Sequence, residues 1–288
     1  MTTRGPSWDG SPTAPLPEDP HIAGDGRYQP AQQWPDAEPG WGAEIRPRRH
    51  RWLRRILAFA LALALLGGLA FAALIFMTPS VGNAPALTEG IDDSHHAVYP
   101  GPAVPARFAA ALTATEDHRF YSEPGIDPFA VARAVKGAVT GATDQGGATL
   151  YQQLAKMLYT PGQSGFGVEV KQVMLGIKLN FSYSKAQILQ MYADVAYFGH
   201  GYYGLAAASC GYFGKQPGQL SWPQAAMLAG LVQAPTAYNP LAHYTTGRAR
   251  QAHVLDRLAA TGHLTQAQAA KAFHQPLYLV GGPATGCS

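Results

Sequence analysis

The sequence predicts a mainly α-helical domain tethered to one N-terminal transmembrane helix. Three observations carry this expectation. Residues 56–77, ILAFALALALLGGLAFAALIFM, form a run without charge, proline or side-chain amide. Beyond residue 106, Ser or Thr repeatedly stands three residues ahead of Gln at the head of an apolar segment, the reciprocal pattern that opens helices. No stretch alternates apolar and polar residues for long enough to build a sheet core.

Residues 1–53 are rich in Pro, Gly, Asp and Glu, carry isolated Trp8, Trp34 and Trp41, and show no periodicity; they read as a disordered tail. Its end is basic, with Arg46, Arg48, Arg49 and Arg51 followed at once by Arg54 and Arg55. Residues 54–78 read as the membrane span, because a helix of that length crosses about 30 Å of hydrocarbon. The run lies too far from the N-terminus and is too long for a signal peptide. It is also apolar all round, unlike a helix buried in a soluble core. The flanking arginines place the N-terminus in the cytoplasm. The chain is therefore expected to be a single-pass plasma-membrane protein with its domain extracytoplasmic. Residues 79–105, with five prolines, read as a linker. Asp92, Asp93, His95 and His96 within it read as a solvated turn, since no further ligand cluster accompanies them.

The domain is expected over 106–275, with 276–288 as a C-terminal tail. Its helices are ARFAAALTATEDHRFY, then PFAVARAVKGAV opened by Asp127 and Pro128, then ATLYQQLAKMLY. VEVKQVMLGIKLNF follows, with Val173, Ile177 and Phe181 on one stripe. SKAQILQMYADVAYF begins at Ser184 and Gln187, and SWPQAAMLAGLV and TQAQAAKAFH carry the same kind of cap. With 47% hydrophobic and 14% charged residues the chain as a whole is not disordered, and a net charge of +3 is too small to argue for nucleic acid. Cys210 and Cys287 both fall on the outer side, where a disulfide is permitted. Cys210 sits among small residues and reads as packing, Cys287 reads as mobile, and their pairing is left open.

Ser182-Tyr183-Ser184-Lys185 fits the Ser-x-x-Lys of penicillin-reactive enzymes, but no companion element is present and Ser184 already serves as a helix cap. More informative is an ordered series: EDHRFYSEPGID, GGATLYQQLAK, KQVMLGIKLNFSYSKAQILQMY, AYFGHGYYGLAAA, YFGK and MLAGLVQAPTAYNP. Over about residues 100–245 this series resembles the peptidoglycan glycosyltransferases of glycosyltransferase family 51. The resemblance implies a lysozyme-like helical domain with a cleft facing the membrane. It implies polymerisation of lipid II into glycan strands, with inversion at the donor sugar and undecaprenyl pyrophosphate as the leaving group. The expected partners are lipid II, the growing glycan strand and the cytoplasmic membrane, with crosslinking left to a separate transpeptidase and other wall-synthesis proteins.

Inverting transfer needs a base for the acceptor hydroxyl. By the resemblance that base is Glu116, whose pKa an adjacent carboxylate and partial burial would raise. The motifs carry substrate binding over to Asp117, Phe120, Gly147, Thr149, Gln152, Gln153, Lys156, Lys171 and Tyr202. Gln152 and Lys156 lie one helical turn apart, facing the pyrophosphate, and Tyr202 and Tyr203 are expected to stack on sugar rings. Asp117 and Asp127 are also read as holding helix starts, and Pro235, Asn239 and Pro240 as fixing the far wall.

The sequence departs from the family pattern in one direction. Gln172 stands where the second catalytic Glu belongs, Asn180 replaces a later Glu, and Val168 and Glu169 occupy an Arg-Lys position. The loop 160–167 has no Arg or Lys, Glu123 replaces a His, and Asp194 replaces an Asn. Gln172 can donate to phosphate but cannot act as an acid or as a charged ligand to a divalent cation, Mg or Mn. Glu169, one turn away, is the candidate substitute. A weakened transferase that binds precursor and scaffolds wall synthesis is the alternative reading.

Overall fold

The computed structural model describes residues 49–123, 148–283 and 287. The expected tail up to residue 48, the helix at 128–139 with its Asp127 and Pro128 start, and Gly147 lie outside the described residues. The chain divides into two compact units, 1–60 and 61–288.

Helix α1 spans Arg49–Met77, and its stretch Arg51–Met77, of mean hydropathy 2.5, is long and apolar enough to cross a membrane. Pro79 stops it, and Thr78 Oγ1 donates to Ile75 O at 2.9 Å. The segment that follows is no slack linker, which corrects the expectation for 79–105. Lys178 Nζ donates to Thr78 O at 2.6 Å and Pro79 O at 3.1 Å, and Tyr183 OH donates to Val81 O at 2.8 Å. Helix α2, Ala84–Ser94, opens with Pro85 in its first turn. Its inward stripe is Ala84, Thr88 and Asp92, all fully buried. A stripe of Ala, Thr and Asp carries helical spacing without hydrophobic contrast, so composition alone read it as tether.

Asp92 is accordingly not in a solvated turn. Both of its carboxylate oxygens are buried without a hydrogen-bond partner. Burial first, then the charges of Asp194 and Asp93, push its pKa to about 7. Asp194, on a facing helix, accepts from Gln190 Nε2 at 2.9 Å and is raised by burial to about 6. Folded Asp92 thus holds its proton between the ordinary carboxylate range and about 7, and stability falls as pH rises across that window. Asp92→Asn is expected to match the wild type near pH 4 and to exceed it at pH 8 by about 1–3 kcal/mol. Urea unfolding at the two pH values checks this; an equal gap at both would refute it.

The remaining helices form one core: α3 (Ala106–Glu116), α4 (Leu150–Tyr159), α5 (Phe166–Ser182), α6 (Lys185–Val195), α7 (Leu205–Phe213), α8 (Trp222–Leu231), α9 (Tyr244–Ala260) and α10 (Gln266–His274), with a 3-10 turn at Pro217–Gln219. Three capping boxes stand where the sequence places them, Ser184 with Gln187 at α6, Ser221 with Gln224 at α8, and Thr265 with Gln268 at α10; a fourth, Thr149 with Gln152 at α4, joins two residues read from sequence as substrate-binding. Helix α8 is buried from Pro223 to Leu231, and its small residues let α3 and α9 approach on either side. Besides α2, two helices were not expected, α7 and α9. The latter buries Val254, Leu255 and Leu258.

Three local departures matter. Helix α3 ends at Glu116, because Asp117 leaves helical backbone at φ −155°, so Phe120 lies in the following turns and does not continue the α3 face. The α5 stripe splits: Ile177 is buried while Phe181 is 78% exposed, lining an apolar cleft with Phe71 and Ile75. The C-terminal tail folds back on α7. Val280 N donates to Tyr212 O at 2.9 Å, Gly282 N donates to Gly211 O at 3.0 Å, and Cys210 and Cys287 form a disulfide. Cys287 is therefore fastened.

Candidate active site

Glu116 is the last residue of α3, a position where a carboxylate meets the negative end of the helix dipole. Helix α9 compensates. Arg250 Nη2 meets Glu116 Oε1 at 2.8 Å, both side chains 12% exposed, and Arg257 Nε donates to Ala114 O at 3.0 Å. Seven residues apart, the two arginines share one face of α9 and neutralise the end of α3. On the other side Gln153 Nε2 donates to Glu116 Oε2 at 3.2 Å, and Tyr192 OH donates to Gln153 Oε1 at 2.8 Å. Both Glu116 oxygens are thus held, each by a donor from a different helix.

Burial raises the Glu116 pKa above the ordinary carboxylate value. Arg250's charge and the hydrogen bonds from Gln153 and Arg250 pull it back, and Asp117 adds only a small push. The neighbouring carboxylate is therefore a minor cause and desolvation the major one. The arrangement suits a base: a buried carboxylate, biased upward yet held by a cation and an amide.

The other expected residues divide sharply. Asp117 Oδ2 accepts from Leu150 N at 3.0 Å, so it holds the start of α4 across 33 residues. Thr149 is the buried N-cap of α4 and Gln152 closes its capping box, which turns both toward the helix start. Gln153 reaches Glu116. Lys156 stands exposed on α4, and its ammonium makes no hydrogen bond or ion pair among the described residues.

Two aromatic expectations are corrected. Phe120 is fully buried, stacked on Tyr151 under Lys185, whose ammonium lies 5.0 Å from the Phe120 ring centroid and 4.8 Å from that of Tyr151. It is core and offers no face to a ligand. Tyr202 is 5% exposed, packs edge-on to Tyr212, and donates from its hydroxyl to Gly282 O at 2.6 Å. Its ring lies against Gly211, where any Cβ would overlap it. Tyr203 stacks on His95 at the end of α2, ring centroids 3.4 Å apart. The Phe120 and Tyr202 rings are spent on packing, and Tyr203 is half-buried against His95. Asn239 Oδ1 accepts from Tyr212 OH at 3.3 Å and Leu241 N at 3.0 Å, tying the wall loop to α7.

On α5, Gln172 Nε2 donates to the buried Thr160 Oγ1 at 2.8 Å. Glu169, in the first turn, is exposed, and Lys171 is half-buried. Asn180 Oδ1 accepts from Lys185 Nζ at 3.2 Å. Among the described residues no three His, Cys, Asp or Glu side chains converge as metal ligands.

The residue missed from sequence is Arg250. It lies beyond the recognised motifs on a helix whose signal, Val254, Leu255 and Leu258 at helical spacing, is short and interrupted by polar residues. Its place is fixed by Gly230, whose carbonyl accepts from Arg250 Nε at 3.3 Å and whose missing side chain leaves room for the arginine stem; a Cβ would stand 3.0 Å from Arg250 Cγ.

A family model described as transglycosylase matches residues 85–259, which takes in both α2 and α9. Penicillin-binding protein 1A of Aquifex aeolicus is 38% identical over 175 residues, 60% of this chain and 24% of that protein. Penicillin-binding protein 1F of Bacillus subtilis is 36% identical over 170 residues, 59% of this chain and 24% of that protein. A protein of Cupriavidus necator named as a candidate transglycosylase is 33% identical over 220 residues, 76% of this chain and 95% of that one. This chain thus spans about a quarter of the length of the penicillin-binding proteins it matches. The match runs through the helices that hold Glu116, Gln153 and Arg250, and the chain belongs to the transglycosylase family of peptidoglycan glycosyltransferases.

Proposed function

We propose that this protein is anchored in the plasma membrane by α1, N-terminus inside, and polymerises lipid II into glycan strands with release of undecaprenyl pyrophosphate. The observation that carries the reading is Glu116, a buried carboxylate held from opposite sides by Arg250 and Gln153. In this reading Glu116 takes the proton from the acceptor 4-hydroxyl as that oxygen attacks the donor sugar. Arg250 and Gln153 fix the direction of its lone pairs, and the exposed Lys156 supplies charge to the departing pyrophosphate. The substrate's lipid tail and α1 would share one membrane, which keeps the sugar end beside the site. Labelled lipid II, incubated with the full chain in liposomes, is expected to yield glycan strands; intact substrate binding without product would overturn the polymerase reading.

Glu169 is the carboxylate available on α5 to take the place of the missing second Glu. Glu169→Gln is expected to slow polymerisation about tenfold, the loss of about 1.4 kcal/mol of transition-state stabilisation. An unchanged rate removes Glu169 from the reaction. One observation favours the second reading, a binding and scaffolding protein: Gln172 is satisfied by Thr160 and presents no carboxylate where the family has one.

A further inference from the structure

At the opposite end of α3 from Glu116, roughly 13 Å along the helix axis by the rise per residue, the surface holds a cavity of about 370 Å³. Arg107, Gln219, Trp222, Gln268, Lys271 and Gln275 line it over a floor of buried Leu264 and Ala272. No residue of the site around Glu116 takes part.

The hydrogen bonding of this cavity is one-sided. Gln219 Oε1 accepts from Gln216 N at 3.1 Å, and Gln268 Oε1 accepts from Thr265 N at 2.8 Å. Each capping bond occupies the amide oxygen and leaves the NH2 group as the free end. Arg107 Nη1 donates to Leu220 O at 3.1 Å, which fixes the guanidinium while its other N–H groups remain. Lys271 and Gln275 make no side-chain hydrogen bond among the described residues, and no carboxylate lines the cavity. Its free polar groups are thus mostly donors and its formal charges are both positive. The half-buried Trp222 adds a flat apolar surface beside them. A ligand that suits these walls is rich in acceptors, carries an anion, and has a ring to lay on the indole.

We propose that this cavity is a second binding site, for an acidic saccharide, with its carboxylate on Arg107 and Lys271, its ring on Trp222, and its hydroxyl and acetyl oxygens on the glutamine amides. An arginine held by a backbone carbonyl loses little freedom when it binds a carboxylate. The cavity is open, so affinity is modest and falls with salt.

The test uses the full-length protein in detergent micelles with 15N-labelled tryptophan. The Trp222 indole signal, assigned with Trp222→Phe, is followed during titration. N-acetylmuramic acid is expected to shift it, N-acetylglucosamine, which lacks the 3-O-lactyl group and with it the carboxylate, to bind about tenfold more weakly, and lactate to leave it unmoved. Lys271→Met, at an exposed residue outside the core, is expected to weaken N-acetylmuramic acid binding about tenfold, and Arg107→Met at least as much. Glu116→Gln should bind like the wild type, which separates this site from the transferase cleft and makes the outcome independent of polymerisation. Equal binding of the two sugars, an unmoved Trp222 signal, or full affinity in Lys271→Met would each overturn the proposal.

Discussion

Glu116→Gln is expected to lower glycan polymerisation by about 10²–10⁴-fold, the range that a positioned general base supplies. The substitution changes little else. Glutamine has the same shape and can still accept a hydrogen bond from Arg250 or Gln153, so the junction of α3, α4 and α9 stays assembled. Burial disfavours the charged form of Glu116, so its neutral replacement should not unfold the domain. The decisive readout is therefore turnover of labelled lipid II at unchanged thermal stability and unchanged substrate binding. A variant that polymerises at the wild-type rate would remove Glu116 from the chemistry. Lost activity together with a lowered melting temperature would assign it a structural role instead.

Arg250→Met should move the pH dependence of activity as well as reduce it. A base works in its deprotonated form, so activity is lost as pH falls through its pKa. Burial sets the Glu116 pKa high, and Arg250 is the largest influence drawing it down. Without the guanidinium, Glu116 keeps its proton to higher pH, and the acid limb of the rate profile shifts alkaline. Activity lost at neutral pH should be recovered in part at higher pH, and Arg250→Lys, which keeps the charge, should shift the limb less. A drop in rate that is uniform across pH would show that Arg250 only braces the helices. Gly230→Ala offers a gentler version, since its methyl group presses on the Arg250 stem.

Much of the fold was legible because helix starts are written locally. Ser184 with Gln187 and Thr265 with Gln268 satisfy backbone groups within four residues, so no tertiary knowledge is needed to read them. Glu116 was singled out by its motif. What escaped depends on pairs far apart in the chain. Arg250 meets Glu116 across 134 residues. Asp194 adds to the raised pKa of Asp92 from a second helix, and the helix of Asp92 reads as linker because its buried face is Ala, Thr and Asp. Tyr202 looked like a sugar platform because a tyrosine in a glycine-rich loop has that composition; only Gly211, on the next helix, reveals the ring as a plug. The disulfide was permitted by location and decided by geometry.

That disulfide has a consequence for the order of events in maturation. Helix α7 is synthesised long before its fastenings: Cys210 waits for a partner 77 residues later, and the Tyr202 hydroxyl and Gly211 carbonyl wait for Gly282. For a chain delivered N-terminus first, the transferase helices can pack while this corner is still open, and the seal arrives last, as an oxidation. Copies made under reducing conditions would keep the helices around Glu116 and still lack the final stitch. A purified sample of this protein therefore has a history as well as a sequence, and its thiol content records which compartment it passed through.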